Sequence, residues 1–295
     1  MAIGDLPGFT VASGPDAPNP RPYRDALVAE WNRLVNSEDI QLEKVAQKFL
    51  ERHPSLIPGS HGSHMKYGKW PWPGAVISQP RLPGIAERKP DFLWIASNTT
   101  HLLPVLIEIE RPDKRWFKRK TLKPHSDFKD ANQQIHEWRK WFQDPLNHLN
   151  FVRDYKLPDD ISRLRVEVQY ILIHGRHEEF GDDIERLQDR AAREVEHLRL
   201  MTFDTLLPDA NAMSYGTVKL DVDKRYKALS APAMLEVNSL WSRFLNDTDG
   251  WQETIENSPD IGSERKQRLL SELAEAYVAT RGADQRNPIP GRRRK

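Results

Sequence analysis

Cysteine is absent from the chain, which excludes disulfides, thiolate metal sites and cysteine nucleophiles. No apolar run reaches transmembrane length, so neither a spanning helix nor a membrane partner is expected. The first residues lack the basic-then-apolar pattern of a secretory signal. With the cysteine-free composition, this fits a cytoplasmic location. A Walker-type phosphate loop, a dinucleotide fingerprint and a Gly-x-Ser-x-Gly elbow are all missing, and there is no internal repeat. Excess charge is also missing, with 44 Lys and Arg against 43 Asp and Glu. What remains, 295 residues at 38% hydrophobic and 29% charged, has the composition of a soluble globular protein with one sizeable core.

The informative segment lies between residues 90 and 112. Phe92-Leu93-Trp94-Ile95 and Leu102-Leu103-Pro104-Val105-Leu106-Ile107 are apolar runs of strand length, joined by the turn-like Ser97-Asn98-Thr99-Thr100. This reads as a β-hairpin with Asp91 at its start and Glu108 and Glu110 at its end. Folding brings Asp91 close to both glutamates. Strand side chains alternate, so Glu108 and Glu110 share a face, roughly 6 to 7 Å apart. Any one of these carboxylates alone reads as a solvated strand end. Together they repel unless a positive group sits among them, and Glu108 interrupts a run whose apolar character implies burial on both faces. A hard divalent cation with oxygen ligands resolves the conflict.

The order Pro-Asp, hydrophobic strand, Glu-x-(Lys position) resembles the PD-(D/E)xK nuclease superfamily. More narrowly, the chain resembles the nuclease domain of the Shedu family of bacterial anti-phage defence proteins. The similar pieces are Phe49 to Ile57, Lys89 to Leu93, Glu108 to Pro112, Gln134 with Trp138, Ile171 to Arg176 and Thr202 to Leu207. The resemblance covers residues from about 40 to 210. It implies an α/β fold with a restriction-endonuclease-like core, a mixed sheet flanked by helices. It further implies a Mg²⁺-dependent DNA endonuclease in which Mn²⁺ substitutes, with Asp91, Glu108 and Glu110 as metal ligands. Gln134 would face the active site, and Glu43, in the helix before the sheet, becomes a candidate fourth carboxylate. Assembly as a homo-oligomer is also implied. Only about 40 residues precede the domain, so regulation is expected from the C-terminal region or a partner protein.

One position departs from the pattern. Glu110 stands where the superfamily usually has lysine. The change removes a positive charge and adds a metal ligand or general base; alternatively it marks an inactive nuclease fold retained for DNA binding or assembly. Lys114 and Lys118 are candidates to restore the charge. Paired glutamates also suit a glycosidase, but Asp91 and the flanking cations argue against one.

The neutral total conceals a basic run. Arg111 to Lys123 holds seven Lys or Arg against one Asp, with Trp116 and Phe117 interleaved. Such a run is ordinarily a solvated loop; beside a carboxylate cluster it suits a phosphate backbone. Arg111, Lys114, Arg115, Lys118, Arg119 and Lys120 are the candidate DNA contacts. The pair His61 and His64, in a Gly- and Pro-rich loop, reads as ordinary loop histidines.

Apolar periodicity predicts helices over 23–35, 40–52, 127–143 and 182–197 and strands over 75–79, 166–173 and 198–203. Further helices are expected over 229–245 and 264–280. Gln134 falls one turn before Trp138 and so faces the sheet. The expected organisation is a flexible segment at 1–22, the nuclease-like domain at 23–210, a helical appendage at 211–281 and a basic disordered tail at 282–295.

Overall fold

A computed structural model describes residues 20–41, 43–62, 69–83, 89–231 and 248–286. Helices α1 (Pro20–Val35) and α2 (Glu43–Arg52) come first. Pro54 follows α2 closely and prevents its continuation. Strand β1 (Lys69–Ser78) leads into the hairpin β2 (Phe92–Ser97) and β3 (His101–Ile109). Next come α3 (Ser126–Gln143), α4 (Pro145–Asp154), α5 (Asp159–Ser162), β4 (Arg165–Val166), β5 (Gln169–Ile173), α6 (Ile184–Ala192) and β6 (Leu198–Met201). The described chain closes with β7 (Gly216–Leu220), β8 (Tyr226–Ser230), β9 (Thr248–Asp249), α7 (Trp251–Asn257) and α8 (Ser263–Arg286).

The strands form one nine-stranded mixed sheet in the order β6-β5-β3-β2-β1-β7-β8-β9, with β4 beside β3. The hairpin lies near its centre. Its turn is closed by the Asn98 side chain, whose Oδ1 accepts from the Thr100 and His101 amides at 2.7 and 2.6 Å, an Asx turn. All of β2 and nearly all of β3 is buried, because the sheet is covered on both faces. Leu93, Ile95, Leu106 and Leu172 pack with α3 through Phe128, Ile135 and Trp138. Phe92, Trp94, Ile107, Ile109 and Ile171 pack with α1 and α2 through Trp31, Phe49 and Leu50. Two-sided burial explains why these strands read as continuous apolar runs rather than alternating ones. Among the described residues no helix is long and apolar enough to cross a membrane.

The helical appendage expected over 211–281 is corrected. Gly216–Leu220 and Tyr226–Ser230 are strands, and β7 pairs in parallel with β1. The sheet therefore runs through residue 210, where a domain boundary was expected. Buried Val218, Leu220, Tyr226 and Ala228 alternate with exposed Lys219 and Lys227; this period-2 pattern is a strand signal. The helix expected over 229–245 begins on β8, and its residues 232–245 lie outside the described residues. The strand expected at 75–79 is longer, beginning at Lys69. Residues 1–19 and 287–295, most of the expected flexible segment and tail, lie outside the described residues, as does His64.

Candidate active site

The β2–β3 register sets the site. Phe92 pairs with Ile107, so Asp91 falls opposite Glu108. The Asp91 amide donates to the Ile107 carbonyl at 3.0 Å. Its carboxylate Oδ2 accepts from the Ile109 amide at 2.7 Å. Glu108 shares the α3-facing side with Leu106 and Leu172 and is 8% exposed. A carboxylate that deep needs a donor, and Gln134 Nε2 donates to Glu108 Oε1 at 2.6 Å. Gln134 is held by α3, which is buried along Phe128, Ala131, Ile135 and Trp138. Gln134, expected from helical spacing to face the sheet, meets one of the three carboxylates, that of Glu108.

Glu110 continues the ladder, its amide donating to the Ile173 carbonyl at 2.8 Å. Its carboxylate forms an ion pair with Lys114. The sequence left open where Lys114 and Lys118 lie; the structure returns Lys114 to Glu110 and leaves Lys118 exposed. The intervening loop is fixed by Glu179. Its carboxylate accepts from the Trp116 and Phe117 amides at 2.8 and 3.1 Å, and Arg115 lies 3.7 Å away. Trp116 and Phe117 are buried, and the guanidinium groups of Arg190 and Arg186 lie over them, 5.3 and 5.8 Å from the ring centroids. Gly175, at φ +59°, completes the seat: a Cβ there would stand 2.7 Å from the Lys114 carbonyl oxygen, so only glycine lets the loop approach.

His174 lies beneath this loop. Register places it beside Glu110, since Ile109 pairs with Ile173. It is 0% exposed and meets Trp116 edge-on with ring centroids 4.9 Å apart. Burial pushes its pKa down to about 4, so it is neutral at pH 7.

The expected convergence of three carboxylates requires correction. Among the described residues no three His, Asp or Glu side chains form a group placed to hold an ion. The physical reason is local compensation. Asp91 accepts from a backbone amide, Glu108 from Gln134, and Glu110 has a cation beside it, so repulsion is relieved without drawing the three together. Glu43 opens α2, but its side chain lies outside the described residues.

The basic run divides into two parts. Arg111 pairs with Asp113 at 3.1 Å, Lys114 with Glu110 and Arg115 with Glu179. Lys118, Arg119 and Lys120, with Lys123, are exposed on a turn closed by the Lys118 amide donating to the Lys123 carbonyl at 2.9 Å. Among the described residues none of these four cations has an ion-pair partner.

Two acidic residues escaped the sequence reading. Glu179 gives no periodic signal and shows its role only in three dimensions. Glu51, on α2, binds Ser78 Oγ at 2.5 Å and Gln47 Nε2 at 3.3 Å. Ser78 pairs with Phe92, next to Asp91, so Glu51 serves the neighbouring strand end from the sheet's other face. Its spacing of four from Gln47 is the signal that could have found it.

Residues 41–207 match the family described as Shedu protein SduA, C-terminal. That span is more than half of the chain and contains the hairpin, α3 and the Lys114 loop. The chain therefore belongs to this family, and its membership suggests a role in anti-phage defence. No curated protein matches the chain.

Proposed function

We propose that this Shedu-type protein is a metal-dependent DNA endonuclease with a restriction-endonuclease-like core. The observation that carries the reading is the placement of Asp91 opposite Glu108 at the end of the central hairpin, with Gln134 bonded to Glu108 and a Lys–Glu pair on the adjoining turn.

The donor set fits a hard cation. A carboxylate has about four lone-pair positions, so the bond from Ile109 to Asp91 and that from Gln134 to Glu108 leave acceptor capacity on both. Asp91 and Glu108 would hold Mg²⁺, or Mn²⁺ in its place. When bound there, the ion supplies neutralisation of phosphate charge and acidifies water. The chain's own residues do the rest. Gln134 fixes the Glu108 carboxylate and offers an amide to a phosphate oxygen. Lys114 supplies the positive charge that a lysine at position 110 would have given, and Glu110 anchors it. Neutral His174 and Trp116 wall the loop from water. The tip cations Lys118, Arg119 and Lys120 bind flanking phosphates.

The experiment is cleavage of linear and supercoiled DNA in Mg²⁺, Mn²⁺ and EDTA, with Asp91→Ala as control. The second reading is a non-catalytic DNA-binding or assembly module. The observation favouring it is that no three-carboxylate group forms among the described residues. DNA retention that is independent of metal, without product, selects it. The resemblance also implies assembly as a homo-oligomer.

A further inference from the structure

The chain from Trp116 to His125 folds into a narrow finger. Phe117 and Pro124 pair as an antiparallel bridge between its two arms. The His125 amide donates to the Trp116 carbonyl at 2.8 Å, and the Lys118 amide to the Lys123 carbonyl at 2.9 Å. At the tip the Thr121 amide donates back to the Lys118 carbonyl at 3.2 Å, and the Thr121 hydroxyl accepts from the Lys123 amide at 3.2 Å. The base is fixed in the core. Trp116 and Phe117 are each 1% exposed, and Glu179 holds both of their amides. The guanidinium groups of Arg186 and Arg193 lie over the Phe117 ring, 5.8 and 6.0 Å from its centroid. A tip mounted in this way loses little freedom when it binds.

The tip is one-sided in charge. Residues 118–123 are all exposed, four of the six are Lys or Arg, and no carboxylate occurs between Asp113 and Asp127. Like charges this close repel one another, and a phosphate backbone relieves the repulsion. Lys120 takes the third position of the turn from Lys118 to Thr121 at φ +56°, a place that favours glycine or asparagine. A lysine held in that strained conformation points to a use for its side chain. Leu122, 39% exposed, is the one apolar side chain of the tip. A single exposed leucine needs no explanation on an ordinary surface; at the end of a rigid cationic finger it is carried wherever the cations bind.

The residue types narrow the partner. Single-stranded nucleic acid is held by stacking on exposed rings, whereas Trp116 and Phe117 are buried at the finger's base. Reading adenine or cytosine in the major groove uses Asn, Gln or a carboxylate, and the tip has none of these. Cations beside one aliphatic side chain match proteins that enter the minor groove, where an apolar wedge unstacks adjacent base pairs. We propose that the finger docks in the minor groove of duplex DNA, with Lys118, Arg119, Lys120 and Lys123 on the phosphates of its walls and Leu122 wedged between adjacent base pairs. Sites are then selected by how easily a base step opens, TA being among the most flexible, rather than by base identity. This docking rests on the DNA binding of the proposed function and needs no cleavage.

The test uses the full chain in EDTA and a short duplex carrying 2-aminopurine at a single TA step. Binding should raise the 2-aminopurine fluorescence at least about twofold, as unstacking requires. The same duplex should bind about fivefold or more tightly than a stiff A-tract duplex of equal length. Leu122→Ala should lose both effects while its salt slope, set by the cations, stays, and Leu122→Met should retain them. Lys120→Gly should lower the salt slope by about one without lowering the melting temperature, because glycine accepts the turn geometry. Three results overturn the wedge and leave the nuclease reading standing: binding without a fluorescence rise; a rise of equal size in Leu122→Ala; or equal or tighter binding to the A-tract, whose narrow groove attracts cations without unstacking. No retention on either duplex at low salt overturns the DNA reading itself, and the docking with it.

Discussion

The Lys114 ammonium is paired with the Glu110 carboxylate, on a loop that Glu179 and Gly175 hold against the end of β5. Glutamate stands at position 110, where the resemblance to the nuclease superfamily led to an expectation of lysine, and a lysine four residues later brings its charge to that glutamate. If that charge serves the reaction, Lys114→Gln should lower DNA cleavage by about 10²-fold or more, the size seen when one preorganised charge stabiliser is removed. The charge swap Glu110→Lys with Lys114→Glu should retain more activity than Lys114→Gln. Single-turnover cleavage rates check both. Unchanged activity in Lys114→Gln would remove the lysine from the account.

Gln134 has a structural duty that can be separated from any catalytic one. It is a donor to a carboxylate that is 8% exposed. Gln134→Ala leaves Glu108 with less compensation and should destabilise the fold by about 1 to 3 kcal/mol. Gln134→Glu puts a second negative charge there and should destabilise it more. Urea denaturation of the three proteins gives the order.

The division of the basic run predicts unequal effects on DNA affinity. Lys118, Arg119 and Lys120 are exposed and have no ion-pair partner among the described residues, so replacing all three with alanine should lower the slope of log affinity against log salt by roughly 2 to 3. Arg115→Ala should barely change the slope, because Arg115 is beside Glu179. Salt titrations of binding in EDTA measure this without cleavage. Equal losses from the tip and from Arg115 would mean that the ion pairs do not partition the run.

His174 gives stability a pH dependence of definite sign. Burial lowers its pKa to about 4, from 6.5 in the unfolded chain. The native state therefore favours the neutral ring. The stabilisation is complete above pH 6.5 and is lost as pH falls towards about 4, a difference of about 3 kcal/mol. His53 is also lowered by burial and contributes in the same direction, so the comparison needs a variant. His174→Phe, which keeps an aromatic ring between Trp116 and Phe128 and removes the titrating group, should flatten the dependence. Urea midpoints at pH 4.5 and 7 for both proteins decide it; a wild-type protein equally stable at both would contradict the assignment.

Much of this was legible in the sequence, for physical reasons that differ by region. Phe92 to Ile109 was readable because a hairpin buried on both faces leaves two unbroken apolar runs around an Asx turn. Gln134 was readable because helical spacing ties it to Trp138. The strands at Gly216–Leu220 and Tyr226–Ser230 carry a legible alternation, but each is only five residues long, and helical spacing begins further along the chain. The partners that neutralise each carboxylate were not legible. Lys114 and Glu110 are only four residues apart, but the loop that joins them to Trp116 is held by Glu179, more than 60 residues away in sequence, and no local pattern encodes that contact.

The central claim is that Asp91 and Glu108 form the working centre of a DNA endonuclease. Incubation of the purified protein with linear and supercoiled DNA in Mg²⁺, Mn²⁺ and EDTA, beside a folded Asp91→Ala variant, tests it most directly. The account predicts products in either metal, none in EDTA, and none from Asp91→Ala, whose DNA binding persists. Cleavage undiminished in Asp91→Ala, or DNA binding without product in every metal, would contradict it.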